Sequence, residues 1–191
     1  MIRTAEGIPS AQRTVVCLGF FDGVHIGHAR LIERAVEIAR PRGLLVCVHT
    51  FDRSPMAMLR PEIAARELTL LPEKAALLRG LGADIVAVSP FDDEMARMRA
   101  EAFFHSVLIG KLRAAAVVAG RDHRFGFGGE ADSRMLEALC HGAGIALTII
   151  DPVRLPDGRV VSSTAIRQLL DQGDMASAEA MLGRAVKARE E

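Results

Sequence analysis

The stretch Val15-Val16-Cys17-Leu18-Gly19-Phe20-Phe21-Asp22-Gly23-Val24-His25-Ile26-Gly27-His28 decides how this chain folds. Its opening run, Val15 to Phe20, is apolar and β-prone. From Gly27 to Arg40 the apolar residues Leu31, Ile32, Ala35, Val36 and Ala39 follow helical spacing. Pro41 and Gly43 end that helix. A strand therefore turns through glycines into a helix. In open parallel sheets, ligands bind beyond the carboxyl ends of the strands. Free N–H groups and the positive end of the helix dipole favour a phosphate at such a turn. Gly23 and Gly27 allow a sharp turn and a close approach of the backbone. His25 and His28 are spaced so that both imidazoles face the same anion. Imidazole donates a hydrogen bond when neutral and adds charge when protonated. As alternatives, the pair would ligate a metal or merely cap and pack. No third His or Cys stands at useful spacing, and the flanking glycines favour phosphate.

Working outward, further apolar runs are predicted as strands at Leu44 to His49, Ile85 to Val88, Ala114 to Ala119 and Ile145 to Ile150. Helices are predicted from Pro72 to Leu78, Ala100 to Ile109 and Asp132 to Cys140, with a long loop through Pro55 and Pro61. The strands do not alternate in polarity, as expected when helices cover both faces of a parallel sheet. The fold class is therefore α/β. Pro152 to Val161, with Asp157-Gly158, reads as a hairpin. Two short helices follow, Ser163 to Leu170 and Asp174 to Leu182, and then a charged, fraying tail from Arg184 to Glu191. No repeat or linker interrupts residues 1–191, which read as a single domain.

With 191 residues, half of them hydrophobic, the chain can bury a core without staples. Lys plus Arg and Asp plus Glu number 24 each, so no basic excess points to nucleic acid or an anionic membrane. Cys17, Cys47 and Cys140 are scattered and read as buried thiols in a reducing compartment. No apolar run approaches the length of a membrane helix and the start lacks a signal peptide, so a cytoplasmic location is expected.

Two more motifs carry chemistry. Ala119-Gly120-Arg121-Asp122-His123-Arg124-Phe125-Gly126 follows a strand and forms a loop at the same sheet edge. There Asp122 could hold magnesium and Phe125 could cover a flat ring or simply plug the core. In Val161-Ser162-Ser163-Thr164-Ala165-Ile166-Arg167, Ser163 is a good N-cap, and Ser162 and Thr164 add hydroxyls. Arg167 offers a fork for phosphate oxygens, or else points to solvent.

His25-Ile26-Gly27-His28 resembles the HxGH signature of the nucleotidylyltransferase superfamily, and Gly19 to His28 resembles the bacterial FAD synthetase version in particular. Gly120 to Gly126 is similar to that family's Gly-x-Asp-Phe-x-Phe-Gly element, with His123 in place of the first aromatic. Phe127-Gly128-Gly129-Glu130-Ala131 then stands where a basic residue and a glycine are usual. Ser162 to Arg167 resembles the family's Ser-Ser-Thr-x-x-Arg element. Thr50-Phe51-Asp52-Arg53-Ser54-Pro55 resembles its Thr-Phe-(Asp/Glu)-Pro-His-Pro loop, with Arg53 and Ser54 replacing Pro and His. Leu182-Gly183-Arg184 is similar to its usual ending, and Leu68-Thr69 with Glu73-Lys74 to a further family stretch. Lys74 itself reads as a solvated helix residue. His49, His105 and His141 are left without roles, the last two at the surface of helices.

The resemblance implies a Rossmann-like five-stranded parallel sheet of order 3-2-1-4-5, with helices on both faces, a C-terminal hairpin and a helical pair. It implies transfer of AMP from ATP to FMN, giving FAD and pyrophosphate, with Mg2+. Catalytic roles fall to His25, His28 and Arg167. ATP contacts fall to Gly19, Phe20, Phe21, Asp22, Gly23, Gly27, Ser162, Ser163 and Thr164. Flavin contacts fall to Phe51, Pro55, Asp122 and Phe125, with Asp122 also at the metal. The family's riboflavin kinase domain is absent from 1–191, either naturally or because the sequence is cut short of it; in the first case a separate riboflavin kinase would supply FMN. Two rivals remain: a related enzyme using another phosphorylated acceptor, and a non-catalytic flavin- or nucleotide-binding module.

Overall fold

A computed structural model of the chain describes residues 2–3, 8, 11–60, 62 and 66–186. Six parallel strands form one sheet: β1 (Ile2–Arg3), β2 (Thr14–Leu18), β3 (Leu45–Phe51), β4 (Ile85–Ser89), β5 (Ala114–Gly120) and β6 (Ala146–Ile150). Their order is β1-β4-β3-β2-β5-β6. Without β1 this is the expected 3-2-1-4-5. The extra strand pairs Ile2 with Ala87 and Arg3 with Val88, so part of the exposed edge of β4 gains a hydrogen-bonding partner.

The helices are α1 (Ile26–Ala39), α2 (Pro55–Leu59), α3 (Leu71–Gly80), α4 (Asp93–Arg97), α5 (Ala100–Ala102), α6 (Ser133–Gly142), α7 (Ser163–Asp171) and α8 (Met175–Leu182). The predicted long loop through Pro55 contains α2, which Pro55 starts from its first turn. The stretch predicted as a single α-helix from Ala100 widens after α5 into a π-helix, Phe103–Lys111. The hairpin is mostly turn, with one antiparallel bridge between Arg154 and Val160.

Alternate residues of the central strands serve two apolar layers. Val16, Leu18, Cys47, Val117 and Ala119 pack with Phe103, Phe104, Leu108, Leu112 and Leu136. Val15, Cys17, Val46, Val48 and Val118 pack on the other face with Leu31, Ile32, Ala35 and Leu78. This is why the strands carry no polar face. Each fully buried Val or Leu side chain stabilises the sheet by about 1.5–3 kcal/mol. The three thiols are free and buried, and burial pushes Cys47 up to about 12, which keeps it protonated.

A third cluster, Val161, Ile166, Ala178, Met181 and Leu182, packs on Ile26 and Leu68. It seats α7 and α8 beside the start of α1, at the carboxyl ends of the strands. The charged tail begins later than predicted. Arg184 is part-buried and donates through Nη2 to the Gly23 carbonyl (2.7 Å) and through Nη1 to that of Val24 (3.0 Å). Residues 187–191 of the expected fraying tail lie outside the described residues. Among the described residues, no helix is long and apolar enough to cross a membrane.

Candidate active site

The chain leaves β2 at Gly19 and rises through a tight loop before α1. Phe21 and Val24 adopt positive φ of 57° and 41°, and Gly23 has φ 79°. The positive φ of Gly23 is what calls for glycine here, while a Cβ would also press on the Leu68 side chain, with Cδ1 at 2.8 Å. Gly27 serves a different end from the predicted turn. It is already helical, and a Cβ there would press on the His25 ring at 3.1 Å.

His25 caps α1, its Nδ1 accepting from the His28 N–H at 3.3 Å. That bond requires an unprotonated Nδ1, so the His25 proton sits on Nε2. The two imidazoles stack, centroids 3.6 Å apart and planes 13° from parallel. Burial pushes His25 down to about 4. Burial, aided by the charges of His25 and Lys74, holds His28 well below its ordinary value. Both rings are therefore neutral donors at physiological pH. Phe21, 1% exposed, supports His28 from the core with its ring 5.0 Å away.

Asp22 is the hub of the loop. Its Oδ1 accepts from the N–H groups of Leu68 (2.8 Å) and Thr69 (3.2 Å), and its Oδ2 pairs with Arg167 Nη1 at 2.7 Å. Its carbonyl accepts from Ser163 Oγ at 2.8 Å. Thr69 Oγ1 accepts from the Gly23 N–H at 3.1 Å, and Thr50 Oγ1 donates to the Phe20 carbonyl at 2.8 Å. The expected N-cap of α7 moves by one residue. Ser162, not Ser163, accepts from the Ala165 N–H (3.1 Å), which frees Ser163 to hold the loop. Thr164 is exposed on the first turn of α7. The loop and the α7 motif, far apart in sequence, are thus brought together.

Lys74 overturns its reading as a solvated residue. It is 1% exposed, with Nζ 3.6 Å from the centre of the Phe20 ring and 3.9 Å from Glu67 Oε2. The signal was its place on the apolar face of α3, with Leu71, Ala75 and Leu78.

Beside this polar loop lies a cavity of about 450 Å3, reached by Gly19 and Phe20. The predicted flavin residues Phe51, Pro55 and Phe125 line it; Asp122 does not. Asp122 lies close enough for its charge to act on both His25 and His123. The remaining walls include Phe91, Met95, Met98 and Phe103, which sequence reasoning missed. Phe51 and Phe91 meet edge to face at 5.1 Å. His49, also missed, bonds Ser89 Oγ through Nε2 at 2.8 Å, and burial pushes it down to about 3. His123 stacks 5.8 Å from Phe125, and burial holds it at about 4. Such a slot suits a flat ring system. Glu130, where a basic residue is usual nearby, does not face the cavity. It accepts from the Ala100 N–H (3.0 Å) at the start of α5 and pairs with Arg99 (3.1 Å).

Among the described residues, no three His, Cys, Asp or Glu side chains are grouped to hold a metal. Magnesium is commonly held by one or two carboxylates together with substrate phosphates, and Asp122 beside the histidines fits that lesser requirement.

A sequence profile of the FAD synthetase family matches residues 8–165. The bifunctional riboflavin kinase/FMN adenylyltransferase of Escherichia coli (strain K12) is 36% identical over 186 residues, covering 96% of this chain and 59% of that one. The enzyme of the same name from Listeria monocytogenes is 36% identical over 172 residues, covering 88% and 53%. The chain thus spans little more than half the length of these relatives. A solved structure described as a macrolide-efflux protein from Streptococcus pneumoniae superposes with a TM-score of 0.84 at 27% identity, over 97% of this chain and 60% of that one.

Proposed function

Since this chain belongs to the FAD synthetase family, we propose that it transfers AMP from ATP to FMN, giving FAD and pyrophosphate. The observation that carries this reading is the stacked, neutral imidazole pair at the start of α1, between a polar loop and an aromatic slot. An oxygen of the FMN phosphate attacks the α-phosphorus of ATP in line. The bond from that phosphorus to the bridging oxygen breaks, and pyrophosphate leaves with the electron pair. Charge builds on the α-phosphoryl and leaving oxygens. His25 Nε2–H and the His28 ring donate to them without first losing a proton, because burial keeps both rings neutral. Thr164, the N-terminal end of α7 and the Arg167 guanidinium bind the β- and γ-phosphates, and Gly19 and Gly23 let the backbone come close. Magnesium, when bound, offsets phosphate charge, with Asp122 as its protein carboxylate. Phe51, Pro55 and Phe125 hold the flavin ring, and the slot orients the FMN phosphate toward the histidines.

Residues 1–191 are read as one adenylyltransferase unit working in the cytoplasm, with FMN supplied by a riboflavin-phosphorylating enzyme. Mixing the protein with ATP, Mg2+ and FMN and resolving the products by chromatography tests the reading. FAD and pyrophosphate in equal amounts are expected. Pyrophosphate formed only with a different phosphorylated acceptor, or tight binding of both substrates without any pyrophosphate, overturns it.

A further inference from the structure

We propose that Lys74 is a positioning residue for triphosphate binding: a buried counter-charge that stays with the Asp22 carboxylate when Arg167 turns from it to the nucleotide. The inference rests on reading the α1–α7 junction as the ATP site and goes beyond it by naming what makes Arg167 available.

Asp22 is 5% exposed and cannot follow Arg167 outward, because Leu68 N–H and Thr69 N–H fix its Oδ1 and Ser163 fixes its carbonyl. Arg167 is less confined. Its side chain is 24% exposed and it sits one turn into α7. In the structure its Nη1 is spent on Asp22 Oδ2 at 2.7 Å. A triphosphate drawing that guanidinium away would leave a buried carboxylate short of positive charge, which is strongly unfavourable unless another cation takes over.

Lys74 is placed to do so. Its side chain is 1% exposed and reaches in from α3, which begins just after the Leu68–Thr69 turn that grips Asp22. Its ammonium lies on the Phe20 face at 3.6 Å and 3.9 Å from Glu67, and the charges of both Glu67 and Asp22 act on it. Glu67 divides its carboxylate, with Oε1 accepting from the Ser54 N–H at 3.0 Å and Oε2 facing Lys74. A lysine buried this deeply beside Glu67 and an aromatic face, and reached by the charge of a second carboxylate that already has an arginine, is explained by a second state in which that arginine is elsewhere. Its compact, flexible ammonium suits such a standby role better than a second planar fork would.

The test is direct binding of a non-hydrolysable β,γ-imido ATP analogue with Mg2+, measured by calorimetry. It reads binding even if no FAD is ever formed, so a failure of the enzymatic reading and a failure of this inference are separable. Lys74→Met keeps the apolar stem, and it should weaken analogue binding about tenfold while FMN binding is unchanged. Arg167→Met should weaken it at least as much. The double variant should bind no worse than Arg167→Met alone, because Lys74 acts only through Arg167. A merely structural lysine would lower thermal stability without this non-additivity. Parent-like binding by Lys74→Met, or losses that add in the double variant, overturns the inference. If Lys74→Met does not fold, Lys74→Gln replaces it with the same expected outcomes.

Discussion

Around Asp22 the polar end of the site is tied by hydrogen bonds from three segments: Leu68–Thr69, α7 through Ser163 and Arg167, and, through Gly23 and Val24, Arg184. Across Phe20, the cavity is walled instead by Phe51, Phe91, Met98, Phe103 and Phe125, which make ring contacts and few polar ones. The first region is directional and holds Asp22 itself in one place. The second is shaped by volume, and its methionines can repack. The difference suits their proposed tasks. Phosphoryl transfer requires donors fixed where charge develops, whereas a flat ring system needs an apolar slot of the right thickness.

The division can be broken most sharply at His28. His28→Ala should lower the rate of FAD formation about 10^2–10^3-fold, the loss expected for one preorganised donor, with ATP affinity within a few-fold of the parent. Steady-state kinetics beside calorimetry checks this. Equal losses in affinity and turnover would make the polar end a binding device only.

Acid should expose what the two regions share. Buried His25, His28, His49 and His123 all titrate below 6.5 in the folded chain, with His25 and His123 near 4. Below pH 6.5 the unfolded chain therefore binds more protons than the folded one. The stability conferred by these neutral rings is complete above pH 6.5 and is lost as pH falls toward 4. Urea denaturation at pH 5 should show a stability lower than at pH 7.5 by about 2 kcal/mol or more. An unchanged midpoint would mean that the rings are not held neutral.

The smallest effect belongs to the cavity. Phe91→Ala should raise the KM for FMN about tenfold through lost stacking and burial, with kcat nearly unchanged. A fall in kcat of the same size would show that the slot also aligns the phosphate and would blur the contrast between the regions.

Legibility in the sequence followed the same line. The motifs of the polar loop and of α7 could be picked out because their histidines, glycines and hydroxyls lie in short strings whose chemistry is local. Two details differ from the sequence: consecutive serines at 162 and 163 hide which one caps α7, and Lys74 is buried although lysines seldom are. All five expected parallel strands and the predicted helical stretches could be placed from apolar runs within a few residues. The strand from Val15 ends at Leu18, since Gly19 and Phe20 already belong to the loop. The cavity was mostly invisible. Phe91, Met95, Met98 and Phe103 look like any core residues until tertiary packing sets them around a gap. The π-helix was hidden too, because it differs from an α-helix by one residue per turn that apolar spacing does not mark. A two-residue edge strand is too short to show any periodicity.

The bond from Ser163 to Asp22 spans 141 positions, and those from Arg184 to Val24 and Gly23 span 160 and 161. During translation the histidine-bearing loop leaves the ribosome long before the residues that brace it. The sheet around β2 can assemble early, but the loop acquires its full set of braces only after residue 184 has emerged, so a nascent chain stalled short of that point carries the histidines without their finished setting.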